Sequence, residues 1–142
     1  DFSYEKFERR YNGDLASGVG NLLARVKSMA SKKGFKEYES EDKEVKKREE
    51  EYHKALEDFN FSRALESVWK LISFSDKLIE KEKPWEGDSP EALGRLLNIL
   101  DKISDLLDPF LPETSLKIKE ELERKGKEFK KEKTETLFPK IS

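Results

Sequence analysis

The sequence contains no cysteine, one histidine and one methionine among its 142 residues. The lack of cysteine excludes a disulfide scaffold and a thiolate metal site, and with one histidine any metal would need an all-carboxylate site. No apolar run approaches the roughly 18 residues of a membrane-spanning helix, and no signal peptide opens the chain. These absences lead us to expect a cytoplasmic protein without a membrane partner.

The chain also lacks an excess of charge of either sign, because 29 basic and 31 acidic residues give a net charge of −2. No strong overall field would draw such a protein onto a phosphate backbone, so we expect no DNA partner and only local contacts with RNA. The length of 142 residues leads us to expect a single domain, residues 1–142. Because the first residue is Asp1 rather than methionine, we expect that this domain was processed or excised from a longer protein.

Charged residues make up 42% of the chain, yet the apolar residues recur at steps of three and four positions. This spacing predicts amphipathic helices, and with no strand pattern it favours an all-α fold, an antiparallel bundle of about five helices. The predicted helical segments are a short helix after Ser3 that Asn12-Gly13 interrupts or bends, a helix from Asp14 to Gly34, a charged helix ended by "DFNF", a helix ending before Pro84, a helix from Ser89-Pro90 to Pro109, and a last helix from Pro112 to about Arg124.

Two details of these segments are specific enough to test. In the charged helix, a thin buried stripe is expected at Val45, Tyr52, Leu56 and Phe59. Asp42 with Lys46, and Glu44 with Arg48, have the spacing of favourable ion pairs on that helix. Residues 125–142 are predicted to be a charged connector followed by an extended apolar strip, "TLFPKI".

A catalytic interpretation has little support from the residues. His53, the only histidine, lies in the charged helix, where we expect a partly exposed side chain without a chemical role. Gly18 and Gly20 lie inside a predicted helix with no preceding strand, so they predict a close approach of two helices rather than a phosphate loop. We expect no catalytic or metal site in this chain, and a small carboxylate-based enzyme is the least favoured interpretation.

Asn21 and Arg25 are four positions apart and therefore share one face of a helix. The amide can donate and accept at a base edge, and the guanidinium can form bidentate bonds or lie flat on a ring. Pro84 stiffens the backbone before Trp85, whose indole could serve as a stacking surface for an unpaired base. The residues alone favour a simpler alternative, in which both polar groups are solvated and Trp85 folds back onto the bundle.

At these residues the sequence resembles the α-helical anticodon-binding domain of methionyl-tRNA synthetases. The similar blocks are "RYNGDLASGVGNLLARV", "ALEDFNFSRALESVWKLI", "KPW", "LLDPFLPETSLKI" and the closing "LFPKI", which follow one another in the family's order along nearly the whole chain. The combination of Gly-Asn-x-x-x-Arg with Pro-Trp favours the methionine enzymes over the related isoleucine, valine and leucine enzymes.

The resemblance implies that Asn21, Arg25 and Trp85 contact the anticodon of methionine tRNA, with Pro84 as support and Glu80 as a nearby acid. It also implies two partners, methionine tRNA and the catalytic domain of the same synthetase. No catalytic signature of that family is present, so ATP and methionine would bind a catalytic domain outside this chain, which itself is expected to hold no cofactor.

The sequence departs from the family pattern at two places near this site. Ser17 stands where an asparagine is common, and "EGDSPEA" follows Trp85 in place of a longer segment. The rim of the binding site is therefore expected to differ from that of other members. A rival hypothesis stays open: a helical protein-interaction module, derived from a synthetase, that no longer reads tRNA.

Overall fold

The computed structural model describes residues 4–33, 41–83 and 90–123, and these residues form five helices and no strand. The helices are α1 (Tyr4–Lys33), α2 (Lys43–Glu57), α3 (Phe61–Glu82), α4 (Pro90–Leu107) and α5 (residues 112–123). This confirms the predicted all-α class. Within the described part of the chain, no helix is both long and apolar enough to cross a membrane.

The side-chain contacts between α1 and α3 show that these two helices run in the same direction. Gly18 of α1 lies against the ring of Trp69 of α3, and seven residues later in each helix Arg25 contacts Asp76. The contacts therefore advance in the same direction along both helices. A Cβ placed at position 18 would lie 3.1 Å from Cζ3 of Trp69, which is closer than normal packing allows. Gly18 therefore makes room for an indole ring of α3, whereas the exposed Gly20 has no such neighbour, and the predicted close approach of two helices at these glycines stays a prediction.

The even-numbered helices also run parallel to each other. Asp42 pairs with Arg95 at one end of α2 and α4, and Glu49 pairs with Lys102 about two turns later. Since a short turn reverses the chain between α2 and α3, this pair runs opposite to α1 and α3. The predicted antiparallel arrangement of the bundle is confirmed.

The last helix folds back along α4. The Ser115 hydroxyl donates to the Ser104 carbonyl oxygen at 2.7 Å, and the Lys119 ammonium contacts the Asp101 carboxylate one turn further back, also at 2.7 Å. Residues 112–123 are helical, as the proline at position 112 predicted. Residues 125–142, predicted as connector and strip, lie outside the described residues.

The core between the helices consists of the apolar positions that the spacing predicted. Leu15, Val19, Leu22 and Val26 of α1 are buried, and Met29 is partly buried against the same cluster. The fully buried side chains of the other helices include Leu71, Ile79, Leu93, Leu96, Ile99, Leu100, Ile103, Leu107 and Ile118. The most apolar helix of the sequence, α4, is thus the centre of the bundle.

The predicted interruption at Asn12-Gly13 is wrong, because α1 continues through both residues. An isolated glycine in a helix costs only about 1 kcal/mol relative to alanine. The apolar stripe that begins at Leu15 is buried against the rest of the bundle. Packing of this kind outweighs one weak position, so two predicted helices form one.

Two details predicted for the charged helix are also corrected. Phe59 is 79% exposed, because α2 has already ended at Glu57 and Phe59 adopts a left-handed backbone conformation with φ of 55°. Asp42 does not pair with Lys46; its carboxylate caps the N-terminus of α2 and binds Arg95 of α4. The other predicted pair, Glu44 with Arg48, is present at 2.9 Å.

Tyr52 joins α2 to the end of α4. Its hydroxyl donates to the Leu106 carbonyl oxygen at 2.6 Å, and the side chain is only 2% exposed. Leu106 lies in the last turn of α4, where a helix supplies no amide partner for its carbonyl groups. Burial, with a smaller effect of the Asp108 carboxylate, raises the pKa of Tyr52 to about 12, so the hydroxyl stays protonated and able to donate.

We expect Tyr52→Phe to lower the free energy of unfolding by about 1–2 kcal/mol, because a buried carbonyl loses its donor while the ring packing is kept. Urea denaturation monitored by circular dichroism measures this difference. Lys54→Ala, an exposed change on the same helix, is the control and should shift stability by less than about 0.5 kcal/mol. Equal stability of Tyr52→Phe and the parent protein would contradict the role given to this hydrogen bond.

Candidate functional site

Asn21 and Arg25 project from the exposed side of α1, one helical turn apart. The exposed positions of this side between residues 17 and 28, here called the α1 stripe, are Ser17, Gly20, Asn21, Ala24, Arg25 and Ser28. Arg25 is the charged residue among these six, and the exposed Asp14 and Lys32 continue the same face at its two ends. Small and polar side chains in the middle of this face leave the backbone of α1 and the Asn21 amide accessible.

The guanidinium of Arg25 is held from the neighbouring helix. Its Nη1 donates to Oδ1 of Asp76 on α3 at 3.2 Å, and the two side chains are 50% and 46% exposed. Such a half-exposed pair contributes about 0–1 kcal/mol to stability. The contact therefore matters more for where the guanidinium lies than for how stable the bundle is.

A shallow depression of about 400 Å³ lies beside Arg25, between α1 and the end of α3. It is lined by Ala24, Arg25, Ser28, Met29 and Ile79. The depression is thus apolar at its floor, with one cation at its edge. A flat aromatic group, such as a nucleobase, matches this combination of an apolar surface and a directional donor.

Glu80 lies exposed on α3, one turn after Asp76 and next to Ile79. Because Asp76 and Glu80 have the four-residue spacing of one helix face, Glu80 follows the Arg25 contact along α3. The structure therefore brings three of the predicted residues, Asn21, Arg25 and Glu80, to the same α1–α3 side of the bundle.

The helix α3 ends next to this site. Its C-cap is Lys83, in a left-handed conformation with φ of 44°, whose amide donates to the Ile79 carbonyl oxygen. The predicted end before Pro84 is confirmed. Pro84 and Trp85 themselves lie outside the described residues.

One residue of this site, Asp76, was not found by the analysis of the sequence. Its contact with Arg25 joins residues 51 positions apart and depends on the register of two parallel helices. No local signal carries that register. His53, for which a partly exposed side chain without a chemical role was expected, is exposed on α2 with its ring centre 5.3 Å from that of Tyr52. Among the residues that the structure describes, no group of acidic or histidine side chains could hold a metal ion.

The family described as "Anticodon-binding domain of tRNA ligase" matches residues 42–140. Among curated proteins, the chain is 35% identical to a methionine–tRNA ligase of Lactococcus lactis over 85% of its own length and 21% of the relative. It is 36% identical to that of Fusobacterium nucleatum over 86% and 22%, and 34% identical to that of Thermotoga maritima over 81% and 21%. The chain thus spans about a fifth of the length of these relatives.

Proposed function

Because this chain belongs to the family of anticodon-binding domains of tRNA ligases, we propose that it recognises the anticodon loop of methionine tRNA. The relatives at 34–36% identity are methionine–tRNA ligases, which supports methionine as the identity of the tRNA. The observation that carries the proposal is the α1 stripe, where an amide and an oriented guanidinium stand beside an apolar depression.

In this proposal, the side chains of Asn21 and Arg25 form hydrogen bonds with the edges of unpaired anticodon bases. Both project from the same face of α1, and a base that bonds to one is within reach of the other. Trp85 supplies a stacking surface, with Pro84 as its support. In the sequence, Trp85 follows Lys83, the cap of α3, by two positions.

The role of the domain is discrimination by binding. ATP and methionine would be bound, and aminoacylation carried out, by a catalytic domain that is not part of this sequence. Because the net charge is −2, we propose that the domain alone binds tRNA weakly, with an affinity that falls as salt rises. Base contacts rather than phosphate contacts then decide which loop is bound.

The experiment that tests this proposal compares two RNA stem-loops, one with the methionine anticodon and one with a single changed anticodon base. Titration by fluorescence anisotropy should show at least about tenfold tighter binding of the first loop, equivalent to 1.4 kcal/mol of discrimination. The identical stem in both RNAs controls for phosphate contacts. Equal affinity for the two loops would exclude anticodon recognition by this domain.

A protein-interaction module is the second candidate, and one observation favours it. Phe59 and Phe61 are 79% and 46% exposed at the turn between α2 and α3, and the Phe61 ring packs edge-on against Phe110. Exposed aromatic groups are typical of interfaces with proteins. The titration separates the two functions, since an interaction module has no reason to distinguish loops that differ in one base.

A further inference from the structure

The contact between Arg25 and Asp76 suggests a role that the proposed base contacts do not include. Asp76 lies on α3, does not belong to the α1 stripe, and accepts a hydrogen bond from Nη1 of Arg25 at 3.2 Å. Its carboxylate is 46% exposed and contacts Arg25, which lines the depression that we assign to a base. A negative side chain beside an RNA site repels the phosphate groups of the RNA. The presence of Asp76 therefore calls for a role that compensates for this repulsion.

Stability does not account for this acid. The helices α1 and α3 are already joined by buried side chains, among them Val26 and Ile79, and by the fit of Trp69 against Gly18. An exposed ion pair adds little to such an interface, because solvent and salt screen it. What the contact does fix is the direction of a long side chain with several freely rotating bonds.

We infer that Asp76 is a positioning residue for anticodon recognition, which holds the guanidinium of Arg25 in the orientation that the base requires. This inference rests on the proposed function. A guanidinium has five N–H donors in one plane, and the hydrogen bond to Asp76 uses one of them. That bond restrains where the guanidinium lies, so fewer orientations of the remaining donors are populated before RNA arrives. Binding then does not have to order the side chain.

The carboxylate also favours bases over phosphates at this site. Arg25 without Asp76 is an exposed cation that attracts any phosphate, whereas the paired group presents a nearly neutral, directional donor set. Asp76 is thus expected to strengthen binding of the correct loop more than binding of an incorrect one. This effect separates a positioning residue from one that contributes only to the fold.

The test measures binding of the complete chain to the two stem-loops defined above, at about 0.15 M salt, where charges beyond about 8 Å are screened. Asp76→Ala should weaken binding of the methionine loop by about 2- to 5-fold, the effect of having to order one long side chain on binding. Asp76→Asn keeps an acceptor oxygen at the same place and should lose less. Glu66→Ala removes the same charge from an exposed position of α3 about 15 Å away and should change binding less than about twofold.

The decisive comparison uses the double variant. In an Arg25→Ala background, Asp76→Ala should have no further effect on binding, because the side chain that it positions is gone. A second readout needs no RNA: the NMR order parameter of the Arg25 Nε–Hε group should fall in Asp76→Ala and be partly restored in Asp76→Asn. Unchanged thermal stability would show that the fold is intact.

The inference is overturned if Asp76→Ala leaves binding of the methionine loop unchanged, if its effect persists without Arg25, or if the Arg25 order parameter does not change. Failure of the proposed function is recognised separately. The parent protein would then bind both loops equally, whatever the residue at position 76. That result would remove the premise of the inference as well.

Discussion

Asp42→Ala is expected to lower the free energy of unfolding by about 2–4 kcal/mol, the sum of a lost helix cap and a lost charge-assisted bond pair. The Asp42 carboxylate accepts from the amides of Glu44 and Val45 at the start of α2. The same carboxylate binds Arg95 of α4 through two bonds, at 2.7 and 3.0 Å. One substitution removes both interactions, the second of them with a guanidinium whose side chain is 25% exposed.

Urea denaturation at neutral pH measures this loss of stability. The variant Asp42→Asn separates the contribution of the ion pair from that of the helix cap. Asparagine still caps a helix, so this variant should lose the ion pair but keep most of the cap. The control is Lys46→Ala, which should have little effect on stability. Lys46 follows Asp42 by four positions, but its side chain is exposed and pairs with Glu41 instead. A loss below about 1 kcal/mol in Asp42→Ala would show that these contacts do not stabilise the joined ends of α2 and α4.

The same carboxylate predicts how stability changes with pH. Burial acts to raise the pKa of Asp42, but the hydrogen bonds and charge of Arg95 and the two amides outweigh it, so the pKa lies below its ordinary value of 3.8. A lowered pKa in the folded state stabilises the fold above the unfolded-state pKa and ceases to do so as the pH falls through the folded-state pKa. The stability difference between the parent and Asp42→Asn should therefore be constant near neutrality and shrink between about pH 5 and pH 2.

Trp85→Ala is expected to weaken binding of the methionine stem-loop by about 1–3 kcal/mol, the usual effect of removing an aromatic group on which a base stacks. This corresponds to about 5- to 150-fold in affinity. Trp85→Phe keeps a smaller stacking surface and should have an intermediate effect. Anisotropy of a labelled RNA is the suitable measurement, since it does not depend on the protein's own indole fluorescence.

The matched control is Phe59→Ala, which also removes a prominent aromatic group. Phe59 precedes the start of α3, whereas Glu80 lies near its end, and the rise of a helix places about 30 Å between them. Phe59→Ala should therefore leave RNA binding unchanged. Titrations in which Trp85→Ala and the parent protein cannot be distinguished would contradict the stacking role.

The sequence was sufficient for the elements whose signals are local. The helix α4 begins at Pro90 because proline favours the first helical position, and its leucines recur with the helical period. The same reasoning placed Asn21 and Arg25 on one exposed face. The family of the chain followed from the order of its motifs, and the comparisons confirm it.

The features that the sequence could not supply depend on the register between helices. Lys46 has the right spacing for Asp42, yet Arg95 of another helix takes that carboxylate, because its guanidinium reaches both oxygens. Asp76 meets Arg25 for the same reason. Pair spacing within a helix is visible in a sequence, whereas competition from a neighbouring helix appears only once the bundle is packed.

The contact of Gly18 with Trp69 has a consequence for how members of this family can diverge. A Cβ at position 18 would lie 3.1 Å from the indole ring, so the ring would have to move by a few tenths of an ångström. Arg25 and Asp76 join α1 and α3 two turns further along. If α3 moves with the ring, a substitution at Gly18 changes the geometry of that ion pair from a position outside the α1 stripe, and under the proposed function it changes RNA binding without contacting RNA.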